Sequence, residues 1–300
     1  MSISLYKIKK WTNMLRGKSV HHVLQDEGKL YSKTEIRGYY NNLTEKVSRF
    51  GREDNSVPKS RIDSGEEIYF PIEIFQYGLA AYDLYLKDKN KNMLEKVVSC
   101  ADWAVDNQQS NGGWITFAFV NAEKPYSSMA QGEAVSLLIR AYIATGEQKY
   151  MDCAERAKDF MLKPIEQGGT TRYEGEGICF LEHTYGPLVL NGWIFSLWGI
   201  WDYYTFTKDE NIKKVLDATL KTLEKKLQYF DNGYWSKYDI EKRIASPFYH
   251  KLHIAQLNVM YDLTGREIYK YYSEKWLGYS NRFINKKLAF IKKAWQKVVE

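Results

Sequence analysis

Cysteine is scarce. Cys100, Cys153 and Cys179 are the only three in 300 residues, odd in number and widely spaced. No Cys-x-x-Cys or Cys-x-x-His spacing occurs, which argues against zinc and for reduced core thiols, as suits a cytoplasmic protein. A long apolar run is also missing. The longest, "LVLNGWIFSLWGIW" from Leu188, stops at 14 residues and contains Asn191. It is too short to span a bilayer and reads as a buried helix. The opening "MSISLYKIKKWTNMLRG" has no apolar stretch of the kind a secretory leader needs, so no signal peptide is expected. Excess positive charge is absent from the body of the chain. The net charge is +6 overall, but residues 1–20 carry +5 and residues 281–300 carry +5, leaving −4 for the 260 residues between. A nucleic-acid protein would carry its basic surface on the fold itself, so that class is disfavoured.

Aromatic residues are plentiful, with 24 Tyr and 9 Trp, more than packing alone requires. Rings that are apolar in the body and polar at the edge suit sugar-binding clefts, and they also suit aromatic-rich helix packing. The chain repeats itself. Apolar helices open on an amide at Gln76, Gln131, Asn191 and Gln256, spaced by 55, 60 and 65 residues. Each ends in a short polar turn ("KDKN", "TGEQ", "TKDE", "TGRE"). A more amphipathic helix follows, over 92–109, 148–163, 209–229 and 266–280. Units of this kind are stacked helical hairpins. Three of them lead into Gly-rich aromatic loops with hairpin-turn chemistry, "SNGGWITF", "EQGGTTRYEG" and "DNGYWSKYD".

The fold class predicted is all-α. It is an α/α toroid, an incomplete barrel of about four helical hairpins with short β-hairpin loops and an extended N-terminal arm. Residues 1–66 form the N-terminal helix and arm, with a flexible loop at 50–66, and residues 67–300 form the toroid. The small residues of "SSMAQGE", Ser127 to Glu133, sit where an inner helix begins. They are read as leaving room at a cleft into which Gln131 points, against the plainer reading of an ordinary N-cap.

The residues "YFPIEIFQYGL" (69–79), "NGGW" (111–114), "YSSMAQGEAVSLLIRAY" (126–142), "LVLNGWIFSLWGIWDYY" (188–204), "YDI" (238–240) and "YHKLHIAQLNVM" (249–260) together resemble the C-terminal domain of the D-glucuronyl C5-epimerases. The resemblance runs from about residue 66 to 276. "NGGW" alone is a weak signal; the combination is strong. Where the family places an arginine after its Tyr-Asp-Leu motif, this sequence holds Glu241. Where the family tends to place a tyrosine beside its glutamate, it holds His183.

The resemblance implies a polysaccharide hexuronate C5-epimerase, an isomerase converting D-glucuronate to L-iduronate residues or an analogous pair. C5 epimerisation needs a base on one face of the sugar, an acid on the other, and a group that neutralises the carboxylate as it gains charge. Carried over residue by residue, the acid and base are Glu182, Tyr238 and Tyr249. Gln76, Trp114, Tyr126, Gln131, Asn191, Lys242, Arg243, His250 and His253 are the candidates for substrate binding. Trp114, Tyr126, Tyr234 and Trp235 are read as stacking on sugar faces or as anchoring loops. No cofactor is expected. His250 and His253 have the spacing of a metal pair but no evident third ligand, so no metal is expected.

Three readings compete. They are the epimerase, an α/α-toroid uronate lyase or glycoside hydrolase, and a non-catalytic glycan-binding scaffold. A hydrolase wants two flanking carboxylates, and only Glu182 is well placed, with Asp239 a poor second. The expected partner is a uronate-containing polysaccharide, not a nucleic acid, and a homodimer stays open. In "LYKIKKWTNML" and "KKLAFIKKAWQKVV" apolar residues recur at helical spacing among lysines, at Leu5, Ile8, Trp11 or Thr12 and Leu15, and at Leu288, Ile291, Trp295 and Val298. The preferred expectation is that both helices close the toroid and bury those stripes. The other is peripheral contact with an anionic membrane at the inner face.

Overall fold

A computed structural model of the chain describes residues 23–50, 54 and 56–299. The expected first helix, within residues 1–20, lies outside the described residues. A short helix, α1 (Glu45–Phe50), and a two-stranded hairpin, β1 (Ser60–Arg61) with β2 (Glu67–Ile68), occupy part of the segment read as arm and loop. Four helical hairpins follow. They are α2 (Pro71–Asp88) with α3 (Lys91–Asn107), α4 (Ser128–Thr145) with α5 (Gln148–Leu162), α6 (Leu190–Thr207) with α7 (Glu210–Leu227), and α8 (Pro247–Thr264) with α9 (Glu267–Asn281). A last helix, α10 (Phe283–Val299), closes the described chain. The architecture is all-α, an incomplete α/α toroid.

The repeat is tighter than the amide spacing suggests. Each inner helix, α2, α4, α6 and α8, is 18 residues long. Each ends on a left-handed residue, Lys89, Gly146, Lys208 or Gly265, whose N–H caps a carbonyl of the last turn. The next residue is already the N-cap of the outer helix, and Asn90 and Asp209 accept hydrogen bonds there from backbone N–H groups. The inner helices begin before the amides, at Pro71, Ser128, Leu190 and Pro247. Proline at the first helical position supplies two of the starts. The amides therefore fall at different depths, and they mark no common helix start.

The inner helices are apolar around most of their circumference and buried. The outer ones bury a single stripe, such as Val97, Cys100, Ala101 and Ala104 on α3. All three cysteines are free, buried thiols. Of the three Gly-rich loops, only "EQGGTTRYEG" builds named strands, β3 (Thr171–Glu174) antiparallel to β4 (Gly177–Phe180). "DNGYWSKYD" makes isolated bridges, Asp231 with Ser236, Lys237 with Ile244 and Asp239 with Val189.

Helices α4 and α6 meet at the closest crossing. A Cβ added to Gly132 would come 2.6 Å from the Ser196 Cα, and one added to Gly199 would run into the backbone of Gly132. Ser196 Oγ donates to Ser128 Oγ at 2.8 Å. The small residues at the start of α4 are thus consumed by helix packing and do not widen a cleft, a correction to the sequence reading. Gln131 is fully buried in this contact region, with no hydrogen-bond partner for its amide among the described residues.

The arm joins the first and last inner helices. On α8, Asn258 donates to Glu27 at 2.5 Å, and Asp262 accepts from Tyr31 at 2.9 Å and pairs with Lys33 at 2.7 Å. On α2, Asp83 accepts from the Tyr39 N–H at 2.8 Å and Glu73 pairs with Lys46 at 2.8 Å. Between them stands a buried ion pair, Arg140 of α4 with Asp202 of α6, at 2.5 Å. Arg140 also donates to the carbonyls of Arg37, Gly38 and Ser136, and Tyr40 donates to Asp202 at 2.7 Å. Arg140→Met removes one partner and strands a buried carboxylate, so it should destabilise the protein by about 3–5 kcal/mol. Arg140→Met/Asp202→Leu should recover part of that loss. Urea unfolding measures both, and an unchanged midpoint for the single variant would show that the pair does not hold the arm.

Candidate active site

At the N-terminal ends of the inner helices lies a cavity of about 240 Å³. Five of the residues predicted for the site line it: Gln76, Glu182, Asn191, Tyr238 and Tyr249. Its apolar wall includes Phe70, Phe117, Phe195 and Phe248. Glu182 follows β4, and Gly192, in the first turn of α6, makes room for it, since a Cβ there would collide with the Glu182 carboxylate. Asn191 Nδ2 stands 3.5 Å from Glu182 Oε2, and Gln256 donates to the Asn191 carbonyl at 3.2 Å. Tyr238 comes from the loop after α7 and Tyr249 from the first turn of α8. Their rings meet with centroids 4.8 Å apart.

Burial sets the electrostatics. It raises the Glu182 carboxyl to about 7, against a small downward pull from the Tyr238 hydroxyl, which reaches Glu182 Oε1 at 3.4 Å. Burial raises both phenols well above their usual value, and the Glu182 charge adds to this in each. A hydrogen bond with Tyr238 partly offsets the rise at Tyr249. The three groups therefore form a chain from carboxyl to phenol to phenol. His183 Nε2 lies 3.6 Å from Glu182 Oε1. Burial, with Arg243 adding to it, lowers this imidazole to about 4, so it is a neutral neighbour and not an ion-pair partner.

Several lining residues escaped the sequence reading. Gln25 and Lys46 come from the arm and Glu73 from α2. Glu73 is thus a second carboxylate at the cavity, one the sequence reading did not weigh, but Lys46 Nζ holds both Glu73 oxygens at 2.8 Å. Glu133, buried on α4, accepts from Gln76 Nε2 at 2.7 Å, and burial pushes its carboxyl well above the usual range. A motif search cannot reach Lys46, because it lies in an aperiodic arm and reaches the cavity only through tertiary packing.

The other predicted residues stand elsewhere. Trp114 is buried behind the cavity, donating to the Ala104 carbonyl at 2.9 Å and meeting Phe75 edge-on. Tyr126 accepts from Asn111 at 2.8 Å and packs edge-on to Phe160. Both anchor the "NGGW" turn. Trp235 likewise holds its loop, donating to the Ala245 carbonyl at 3.1 Å. His250 stacks on Trp235 with centroids 3.6 Å apart, and its Nε2 bonds the Trp276 carbonyl at 3.0 Å. His250 and His253 share Ser236 Oγ at 2.8 and 3.0 Å. Burial lowers His250 to about 3 and His253 far below its usual value, so both are neutral core side chains. Among the described residues no group of three or more His, Cys, Asp or Glu side chains is arranged to hold a metal ion.

Lys242 is exposed and contributes its backbone to the loop. Arg243, half exposed, stands 3.7 Å from Asp239, and its charge is felt at His183 and Tyr238. Asp239 is occupied with structure: its Oδ1 accepts from the N–H groups of Glu241, Lys242 and Arg243. That removes it as the second carboxylate of a hydrolase.

Similarity to known proteins covers this same region. The family described as D-glucuronyl C5-epimerase C-terminus matches residues 109–278, a span that contains Glu182, Tyr238 and Tyr249 but not Lys46, Glu73 or Gln76. Over 212 residues the chain is 27% identical to the D-glucuronyl C5-epimerase of Caenorhabditis elegans, covering 61% of this chain and 34% of that protein. Over 167 residues it is 29% identical to an uncharacterized protein of Methanocaldococcus jannaschii, covering 53% of this chain and 54% of the other. The chain thus spans about a third and about half of these two relatives. With more than half of its length matched, and with the motifs in the expected order, the chain belongs to the D-glucuronyl C5-epimerase C-terminus family.

Proposed function

We propose that the chain is a polysaccharide hexuronate C5-epimerase, turning D-glucuronate residues into L-iduronate or an analogous pair. One observation carries this reading: a carboxyl raised to about 7 and two strongly raised phenols share one cavity. Near neutral pH such a carboxyl is partly ionised and accepts a proton, while the phenols stay protonated and donate one. Glu182 takes the C5 proton, and the C5–H electron pair moves into the uronate carboxyl group. Tyr249 returns a proton to C5 from the other face. The proton gained by Glu182 and the one lost by Tyr249 are exchanged through Tyr238, which touches both.

The carboxyl group gains charge in this step, and a cation must meet it. Among the described residues that line the cavity, Lys46 is the one lysine or arginine. It takes the part that the family's pattern gives to the arginine replaced here by Glu241. Its pairing with Glu73 uses two hydrogen-bond contacts, and a lysine ammonium has three donors. Neither a hydrolase nor a plain binding scaffold accounts for the acid–base chain. A lyase shares the first step, and the formation of an ultraviolet-absorbing double bond distinguishes it.

Tyr249→Phe and Glu182→Gln should each lower C5–H to deuterium exchange on glucuronan or heparosan by roughly a hundredfold or more. Glycan binding should stay within a few-fold. Near-native exchange by Tyr249→Phe sinks the assignment. Lys46→Met/Glu73→Gln removes the cation without leaving an unpaired carboxylate. It should raise KM for the uronate polymer about tenfold or more and leave binding of the carboxyl-reduced polymer unchanged. Equal losses for both polymers would mean that Lys46 has only a structural role. In the pH profile of kcat/KM, the rate should fall about tenfold per unit below about 7, as Glu182 takes up a proton. No matching alkaline fall should appear just above 7, because both tyrosines are held protonated. A profile flat down to pH 5 would rule out Glu182 as the base.

A further inference from the structure

Helix α10 packs the wrong way round for a helix that completes a core. Amphipathic helices turn their apolar stripe inward. Here the inward stripe is Asn285, Ala289, Lys293 and Gln296, all buried or half-buried. Gln296 accepts from the Ile244 N–H at 3.1 Å and donates to the Lys242 carbonyl at 2.8 Å. Lys293 Nζ lies 6.0 Å from the centre of the Tyr238 ring. The opposite stripe, at the same helical spacing, is Ile284, Leu288, Ile291 and Trp295, exposed at 69, 47, 63 and 59%. The expectation that this helix buries Leu288, Ile291 and Trp295 is therefore corrected: Ala289 and polar side chains make its contacts and the larger apolar ones face outward, while the Val298 side chain lies outside what is described. Phe283 and Phe290 extend the exposed patch. Lys287 and Lys292 are exposed on either flank of the stripe. A scattered exposed leucine needs no explanation, but a continuous apolar stripe of this kind marks an interaction surface.

We propose that α10 docks the protein on an anionic lipid bilayer, with Ile284, Leu288, Ile291 and Trp295 in the headgroup–acyl boundary and the flanking lysines on lipid phosphates. Charge chooses this occupant. Lys287 and Lys292 border the stripe on its two sides, so two copies meeting face to face would bring like charges together. Residues 1–20 of the same chain carry +5 and no acidic residue, which makes them an equally poor cover. An anionic membrane complements both the apolar stripe and its basic border. The inference rests on α10 alone and does not depend on the reading of the cavity.

The test is sedimentation of the full chain with vesicles of phosphatidylcholine alone or of phosphatidylcholine with phosphatidylglycerol. The protein should sediment with the anionic vesicles at low salt and be released as salt screens the lysines. Lys287→Gln/Lys292→Gln should weaken the partition roughly thirtyfold, and Ile291→Ser/Trp295→Ser more than tenfold. These side chains are exposed, so thermal unfolding of both variants should match that of the parent. Protein that stays in the supernatant with anionic vesicles at low salt overturns the proposal. So does a solution dimer that Ile291→Ser/Trp295→Ser dissociates, because a second copy would then be what covers the face.

Discussion

The ion pair between Arg140 and Asp202 ties α4, α6 and the arm together, and the placement of the arm depends on it. Two charges removed from water are a net cost unless every remaining donor and acceptor is used. Here they are used on the arm: the Arg37 and Gly38 carbonyls take the guanidinium, and the Tyr40 hydroxyl takes the carboxylate. An extended segment without periodicity or helix propensity is thereby held in one place. Tyr39, Tyr40 and Leu43 then pack into the same core as the inner helices. A few residues on, the chain turns into α1, and Lys46 arrives at the cavity. The chemistry at one end of the toroid depends on a charge pair near the other.

The cavity draws its character from the same packing. Glycine at 132 and 199 lets α4 and α6 close on each other, and glycine at 192 leaves space for the Glu182 carboxylate. Because the helices are close and the lining is largely phenyl and phenol, Glu182 has little solvent to stabilise its charge. Its raised affinity for a proton follows from that desolvation more than from any charged neighbour. His183, which would be only partly protonated near neutral pH in water, is held neutral by the same burial. Water exclusion thus sets acid and base strengths across the site, and Lys46 keeps its place through its pair with Glu73.

The loops serve the fold before they serve a ligand. Trp114, Tyr126 and Trp235 were natural candidates for sugar stacking, yet each spends its polar edge inside the fold, Trp114 on the Ala104 carbonyl of α3 and the other two on loop partners. The aromatic wall of the cavity is instead phenylalanine and tyrosine carried at the starts of inner helices and in the loops before them. In a protein with 24 Tyr and 9 Trp, aromatic abundance serves packing and site alike, and only position tells them apart.

The sequence by itself determined the helical hairpins. Outer-helix boundaries fell within a few residues of those read from amphipathic period and turn chemistry, because both signals are local. It also determined the family, through motifs whose order survives in one dimension. Glu182, Tyr238 and Tyr249 could be named for the same reason, although 67 residues separate Glu182 from Tyr249. Only the tertiary structure decided that the small residues of "SSMAQGE" make a helix crossing, leaving Met129 of that stretch to line the cavity, since small residues serve both roles and the partner helix begins about 60 residues away. Only it brought Lys46 and Glu73 to the cavity, because an ion pair between an aperiodic arm and a helix leaves no pattern in sequence. The direction α10 faces was decided there too. An amphipathic sequence specifies two faces, and what the rest of the molecule offers for contact selects which of them turns inward.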